Sequence, residues 1–463
     1  SGCACHHAVM NRTLVTHRFE NARPDVVFLR ELTRDGLKVR VLAASSSPAG
    51  KVTVLERWAE RFPDEAHAVS AFERALAEAR RNFKTEKRLE RVVPLREEGL
   101  GVVAENPALE ERVRVGRDAD SARVYADWLQ AQGDVRGELA ALLQAGKHDA
   151  ANAWLDENAD RVLGEHDVRL HADVYDLVWR HGFLEGASLR RSRFVDEPAP
   201  LEVVTKGFLE LPLTRLVRQL TFGLASYDSD NDWTATMRAV TQSAQAKQLV
   251  TLRFSHFTSE DGELSFVPFG DFSPAWAALP SLEELVVRSG AGGTLGALTL
   301  PSLRRFVRIS GGLSAGELES ITQAKWPLLE HLEVWTGQAE YGAEATTDLL
   351  EPLFSGANTP VLTSLGLVNC EVVHECLEPI ARSKLLPRLK RLDLSRGALQ
   401  DRDVPLLLKH VSAFRHLELL DLCTNQLSDE GVERIKAVLP KASLSDQRER
   451  YDDDDTRYAA VGE

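Results

Sequence analysis

Three clusters in this 463-residue chain hold side chains whose types could do chemistry. Cys3, Cys5, His6 and His7 bring two thiols and two imidazoles together, donors that suit zinc or copper. Ligands that close along the backbone cannot surround one ion tetrahedrally without strain, so adventitious binding is the expected limit of what they do. Cys370, His374 and Cys376 look more like a ligand fragment, yet Cys370 has another place, in a repeat described below. Asp228, Asp230 and Asp232 alternate as carboxylates do at the start of a calcium loop. Trp233 stands where that loop needs glycine, and Ala239 where it needs a bidentate glutamate, so the cluster reads as an acidic loop. No metal or cofactor is expected. There is no Gly-x-Ser-x-Gly elbow, no phosphate-binding Gly-Lys-Ser and no His-Glu-x-x-His. An enzyme here would need a constellation assembled only in three dimensions, visible as a deep pocket of titratable groups; the expectation is a non-enzymatic protein.

The elements that must position everything else are repeats. Leu417, Leu420, Leu422, Asn425 and Leu427 spell L-x-x-L-x-L-x-x-N-x-L, and the stretch Ser428 to Leu439 follows at once. The leucines must bury one face of a short strand and its turn, and the Asn425 amide suits loop backbone that would otherwise lack partners. Ser428 is placed to cap a helix carrying Val432, Ile435, Val438 and Leu439 on one face. Copies in phase occur at Leu389, Leu392, Leu394 and Leu399, and at Leu362, Leu365 and Leu367 with Cys370 in the asparagine slot. Weaker copies lie at Leu329, Leu332 and Val334; Leu303 and Phe306; Leu282, Leu285 and Val287; Leu249, Leu252 and Phe254; and Val217, Leu220 and Phe222. This pattern resembles leucine-rich repeats of the long, ribonuclease-inhibitor-like subclass, which implies an α/β solenoid over residues 211–445 and a concave parallel sheet suited to binding.

Between the buried leucines, alternate residues face outward from that sheet. The candidate binding residues are therefore Arg253, Ser255, Glu284, Arg288, Arg305, His331, Glu333, Trp335, Ser364, Arg391, Asp393, Leu419 and Asp421. Trp335 among arginines and carboxylates has the composition of an interface anchor, or of an aromatic packed on neighbouring repeats.

Upstream, residues 11–90 read as a small α+β unit: VTHRFE, VVFLREL, GLKVRVLA and Lys51 to Leu55 as strands, Arg34-Asp35-Gly36 as a turn, and a helix from about Asp64 to Asn82. The opening HRFE and the closing helix resemble a degenerate WGR-type domain, a nucleic-acid-associated module of poly(ADP-ribose) polymerases that also occurs in bacterial proteins. Val41-Leu42-Ala43-Ala44 stands where the Trp-Gly-Arg triplet would follow the third strand. Residues 105–200 read as a helical domain around Tyr125 to Leu142, with Tyr125, Trp128 and Leu129 on one face. Gly133 should end one helix and Asp134 cap the next, with Arg136 and Glu138 available for ion pairs. The Tyr-Ala-Asp-Trp-Leu and Gly-Asp-Val-Arg-Gly-Glu blocks, continued by Trp179 to Phe183, resemble the bacterial repeat-companion domain, which implies a cap on the first repeat. Residues 446–463, with Asp452 to Asp455 in a row, read as a solvated acidic tail or a docking peptide for a basic partner.

With 70 Asp and Glu against 56 Lys and Arg, the net charge of −14 disfavours gripping nucleic acid and suits a basic partner. Five scattered cysteines do not build a disulfide framework, so a reducing, cytoplasmic setting is expected. No apolar run is long enough to span a bilayer. Residues 1–10 read as a terminal extension before Met10, with a lipidated Cys3 as the alternative. Together these features predict a bacterial-type interaction protein gripping a protein or peptide on the concave face. The alternatives are an inhibitor or immunity-like protein blocking a basic enzyme, and a nucleic-acid-linked module acting through residues 11–90.

Overall fold

The computed structural model describes residues 11–23, 26–35, 38–46, 52–61, 65–94, 102–162, 175–191, 199–227, 231–449 and 457–461. Cys3, Cys5, His6, His7, Asp228, Asp230 and Asp452 to Asp455 lie outside them. The chain divides into two compact units, one formed by residues 1–185, 192–199 and 210–216, the other by 186–191, 200–209 and 217–463. No helix among the described residues is long and apolar enough to cross a membrane.

In the first unit, strands β1 (Asn11–Arg23), β2 (Val26–Asp35), β3 (Lys38–Ser46) and β4 (Val52–Arg61) precede helix α1 (Glu65–Asn82), and β5 (Thr85–Pro94) follows it. The sheet runs β4-β3-β2-β1-β5, and its neighbouring strands pair antiparallel. Ala68, Phe72, Leu76 and Ala79 recur at helical spacing along α1 and bury against Phe19, Leu32 and Val39. β5, which the sequence did not suggest, pairs with β1, and Val41 to Ala44 lie inside β3, which runs to Ser46.

Helices α2 (Pro107–Gly116), α3 (Ala119–Ala131), α4 (Val135–Gln144) and α5 (His148–Val162) follow. Asp118 caps α3 through the Ser121 N–H, and Gly133, at φ +75°, ends that helix. Asp134 then caps α4 and holds Arg136, whose guanidinium also donates to the Ala104 and Pro212 carbonyls. Glu138 is exposed. Tyr125 and Leu129 are buried while Trp128 is half-buried, stacked on Tyr125. The Tyr125 hydroxyl donates to Glu110, which pairs with Arg215. These groups are satisfied by one another, as a bracing network requires. The helical reading of residues 105–190 needs correction beyond α5. Strands β6 (Tyr175–Arg180) and β7 (Phe183–Leu189) flank His181 and Gly182, both at positive φ. A two-residue loop with both residues left-handed matches the twist of a hairpin, and a Cβ at Gly182 would lie 2.5 Å from the Ala140 carbonyl oxygen.

The second unit is a mixed α/β array around a parallel sheet. Its strands are the end of β7, then β8 (Gln219–Phe222), β9 (Thr251–Phe254), β11 (Glu284–Arg288), β13 (Arg305–Ile309), β14 (His331–Gly337), β15 (Ser364–Cys370), β16 (Arg391–Asp393), β17 (Leu419–Asp421) and β18 (Ala442–Ser443). Helices α6 (Leu201–Leu209) and α7 (Thr234–Gln242) accompany the first repeats. Later connections carry α8 (Ala315–Gln323), α9 (Thr347–Phe354), α10 (Val373–Ala381), α11 (Val404–Lys409) with α12 (Val411–Phe414), and α13 (Asp429–Lys436). Between β9 and β13 the chain instead uses short 3₁₀ turns and a parallel pair, β10 (Gly270–Asp271) with β12 (Gly293–Thr294). The β11–β13 connection carries no α-helix and is short, which fits the close spacing of Leu285 and Phe306.

The register is in phase throughout: Leu220, Leu252, Leu285, Phe306, Leu332, Leu365, Leu392 and Leu420 are paired neighbour to neighbour, and all are buried. Ser428 caps α13 through the Gly431 N–H. Asn425 accepts from the Leu399 N–H and donates to the Leu394 and Leu422 carbonyls, so its amide joins two successive repeats. Early repeats substitute aromatics, with Phe222, Phe254, Phe272 and Trp276 in sequential ring contact. Asn231, from the acidic loop, is buried and bonds the Ala225 N–H and Pro268 carbonyl; Asp232 accepts from the Thr234 N–H at the start of α7. The expectation of a solvated tail is corrected for residues 457–461, which bond Gln338 just after β14, Asn369 in β15 and Ala398 in the loop that follows β16.

Candidate binding face

Because side chains alternate along a strand, the residues between the buried rows share the opposite face of the sheet. Register sorts them into rows that cross the strands. One row runs Thr251, Glu284, Arg305, His331, Ser364, Arg391 and Leu419. The next runs Arg253, Val286, Val307, Glu333, Gly366, Asp393 and Asp421.

The two halves of this face differ. Toward β9, charges cancel: the Arg253 Nε donates to Glu284 at 2.9 Å, and Arg305 stands 3.8 Å from the same carboxylate. Val286 and Val307 are buried in the row beside them. Arg288 donates to the Phe257 carbonyl at 2.6 Å with its guanidinium 4.6 Å from the Phe257 ring centroid, and burial pulls its pKa down. Ser255 follows the end of β9, half-buried, and its N–H donates to the Phe222 carbonyl. These two residues shape the edge of the sheet more than its open surface.

Toward β17 the row becomes acidic. Glu333 accepts the Trp335 indole N–H at 2.7 Å and lies 3.4 Å from His331, whose other ring nitrogen meets Ser364 at 2.9 Å. Burial alone would raise the Glu333 pKa; the bonds from His331 and Trp335 outweigh it and hold the carboxyl below its ordinary value. Trp335 is half-buried, with the Arg396 guanidinium 5.6 Å from its ring centroid. Asp393 and Asp421 occupy equivalent strand ends, each accepting the N–H two residues on, from Ser395 and Cys423. Burial, with Asp421 and Glu333 nearby, raises the Asp393 pKa against the opposing bonds from Ser395. Gly366 separates Glu333 from Asp393, and Arg391 is exposed alongside.

The cysteines belong elsewhere. Cys370 and Cys376 are buried with their thiols in mutual hydrogen-bond contact, and that contact together with burial holds the Cys376 thiol far above its ordinary pKa. Among the described residues there is no group of three or more potential metal ligands. A cavity of about 760 Å³ lined by Leu298, Leu300, Glu319, Gln323 and Lys325 holds few titratable groups.

A second polar group, which the sequence reading missed, gathers where β15, β16 and β17 end. Asn369, Arg396 and Thr424 each adopt positive φ just before the asparagine slot of their repeat, and their N–H groups donate in turn to the Ser395, Cys423 and Ser445 carbonyls. The one sequence signal was Asn369, a residue type that tolerates the left-handed conformation.

No protein-family profile matches the chain, and no curated protein does. Among solved structures, a protein from Bacteroides fragilis is similar over 95% of this chain and 98% of its own, at 21% identity and a TM-score of 0.51, a likeness of fold. An internalin of Listeria monocytogenes aligns with 54% of this chain and 65% of its own at 17% identity, TM-score 0.29. A leucine-rich-repeat protein of Leptospira interrogans aligns with 50% and 91% at 14% identity, TM-score 0.15.

Proposed function

We propose that this chain is a non-enzymatic interaction protein whose leucine-rich-repeat solenoid takes a basic segment of a partner protein across its concave face, between β14 and β17. The observation that supports this reading is the row Glu333, Gly366, Asp393 and Asp421. Two of its carboxylates are spent on only one short turn each, and the glycine leaves the row without a side chain at its centre. Burial, and then the nearby Asp421 and Glu333, raise the Asp393 pKa, and a cationic segment would offset both. Trp335 supplies an aromatic edge held in place by Glu333. The small α+β unit is a degenerate WGR-like domain in this reading, and the helical domain a repeat-companion cap.

The test removes charge while leaving the turns intact. In Glu333→Gln, Asp393→Asn, Asp421→Asn, one amide oxygen each still accepts from the Trp335 indole, the Ser395 N–H and the Cys423 N–H, and only the His331 contact of Glu333 is given up. Capture from native lysate by the wild-type chain should yield a basic protein that this variant loses and that elutes as salt rises. Capture unchanged in the variant would remove the concave face from consideration. If the captured protein is an enzyme and loses activity on binding, the inhibitor or immunity-like form of this reading is the correct one.

One feature favours a second reading through the N-terminal unit: residues 11–94 hold more Lys and Arg than Asp and Glu, although the whole chain is acidic. Several of these cations are paired, Arg18 with Glu20, Arg34 with Glu65 and Arg80 with Glu86. Salt-dependent retention on immobilised DNA or RNA would support it.

A further inference from the structure

Residues 458–461 are held chiefly through their main chain. The Asn369 side chain takes both sides of Val461, donating from Nδ2 to its carbonyl at 2.5 Å and accepting its N–H at 2.7 Å. The Ala460 N–H donates to the Arg396 carbonyl at 2.8 Å. Gln338 donates to the Ala459 carbonyl at 2.9 Å, and the Arg448 guanidinium reaches the Tyr458 and Ala459 carbonyls. Two side chains add selectivity. Arg457 makes a two-point ion pair with Asp403 at 2.8 and 2.9 Å while donating to the Ala398 carbonyl, and Ala459 is 3% exposed. Tyr458, Ala460 and Val461 are half-buried.

The wall of this groove is prepared for backbone rather than for particular side chains. Asn369 is fully buried with its amide aimed at the segment, and its left-handed conformation is shared by Arg396 and Thr424 in the next repeats. Polar side chains built into successive repeats and directed at the backbone of an extended chain are the means by which a groove binds a peptide of limited sequence. Ala459 is the buried residue of the occupying segment and Tyr458, Ala460 and Val461 are half-buried, so a second peptide with the same groups can replace it contact for contact.

We propose that the groove formed by Gln338, Asn369, Arg396, Asp403 and Arg448 is a peptide-binding site distinct from the concave face, and that residues 457–461 fill it in cis. Its partner in trans is an extended peptide carrying arginine followed two residues later by alanine, the pattern of Arg457 and Ala459. The cis segment competes at the high local concentration that tethering gives, so the site opens to a partner when that segment is displaced.

The test uses the full chain and a fluorescein-labelled peptide, Thr-Arg-Tyr-Ala-Ala-Val, with binding read by anisotropy. Arg457→Glu sets a like charge against Asp403, and Ala460→Pro removes the N–H given to Arg396; both alter the occupant and leave the groove intact. The expected result is that each variant binds the peptide at least tenfold more tightly than wild type does. A peptide with glutamate in place of its arginine, or the double variant Arg457→Glu, Asp403→Asn, should lose that gain. If both occupant variants are folded and neither binds more tightly than wild type, residues 457–461 are a structural strap and the proposal is wrong. Concentration-dependent dimerisation of wild type that Arg457→Glu abolishes would assign the groove to a second copy of the chain and overturn the proposal as stated.

Discussion

Arg308 occupies a position that is leucine or valine in the later repeats, and it makes a sharp test of how this core is held. Its partner across β13 is Val287, and Val334 lies beyond; the same slot holds Leu367, Leu394 and Leu422. The guanidinium is 0% exposed, bonded to Glu317 at 2.9 Å and to the carbonyls of Ser289, Gly290 and Ile309. Glu317→Ala leaves that cation buried without its counter-charge, which should cost about 3–5 kcal/mol. Arg308→Leu strands the Glu317 carboxylate and should cost a similar amount. The double variant Arg308→Leu, Glu317→Leu instead restores the repeat pattern. Ile309 keeps its bond from the Ser289 N–H and Gly290 keeps one from the Ser289 hydroxyl, so among the carbonyls only that of Ser289 loses its side-chain donor, at about 1–3 kcal/mol, while the Ser314 hydroxyl gives up its Glu317 acceptor. The double variant should therefore be more stable than either single one. Urea unfolding followed by tryptophan fluorescence measures this, with hydrogen exchange at β13 as the local readout because repeat arrays need not unfold in one step. If Glu317→Ala stays within about 1 kcal/mol of wild type, or the double variant is no better than the singles, the ion pair is not what holds this repeat.

Two further outcomes follow from the same structure. Asn425→Ala removes the bonds to Leu399, Leu394 and Leu422, and a loss of about 2–4 kcal/mol with faster exchange at the Leu399 amide is expected; an unchanged midpoint would count against the slot's role. In the N-terminal unit, hydrogen bonding from Arg80 lowers the Glu86 pKa from 4.5 to about 2, with burial opposing and His17 assisting. A depressed carboxyl stabilises above its unfolded pKa, and that contribution is lost as pH falls from about 4.5 toward about 2. Exposure of both partners keeps it small. Circular dichroism of Glu86→Gln over that range should show a flatter acid limb; an identical limb would refute the assignment.

What could be read in advance followed from periodicity. Leu417, Leu420, Leu422, Asn425 and Leu427 are legible because burial demands leucine at fixed steps and the loop demands an amide. The repeat at Phe306 was faint for the same reason: Arg308 fills a slot where pattern expects an aliphatic side chain. β18 was invisible because Ala442 and Ser443 pair through backbone alone. The β6–β7 hairpin hid in a stretch whose aromatic and charged residues suit a helix equally well, and only the positive φ at His181 and Gly182 decides between them. On the candidate face, alternation identified which residues turn outward. It could not say that Arg253 would pair with Glu284, or Trp335 with Glu333, because such pairings depend on cross-strand register and rotamer. The groove for residues 457–461 depends on contacts distant in sequence, from Asn369 to Val461, and no local pattern announces them.

The strands of the parallel sheet shorten toward its end, from seven residues in β14 and β15 to three in β16 and β17 and two in β18. An edge that short offers a neighbouring molecule few unpaired amides, so the last repeat is poorly suited to recruit another sheet. Tapering thus protects against end-to-end polymerisation, the characteristic hazard of an array whose every unit is shaped to accept the next.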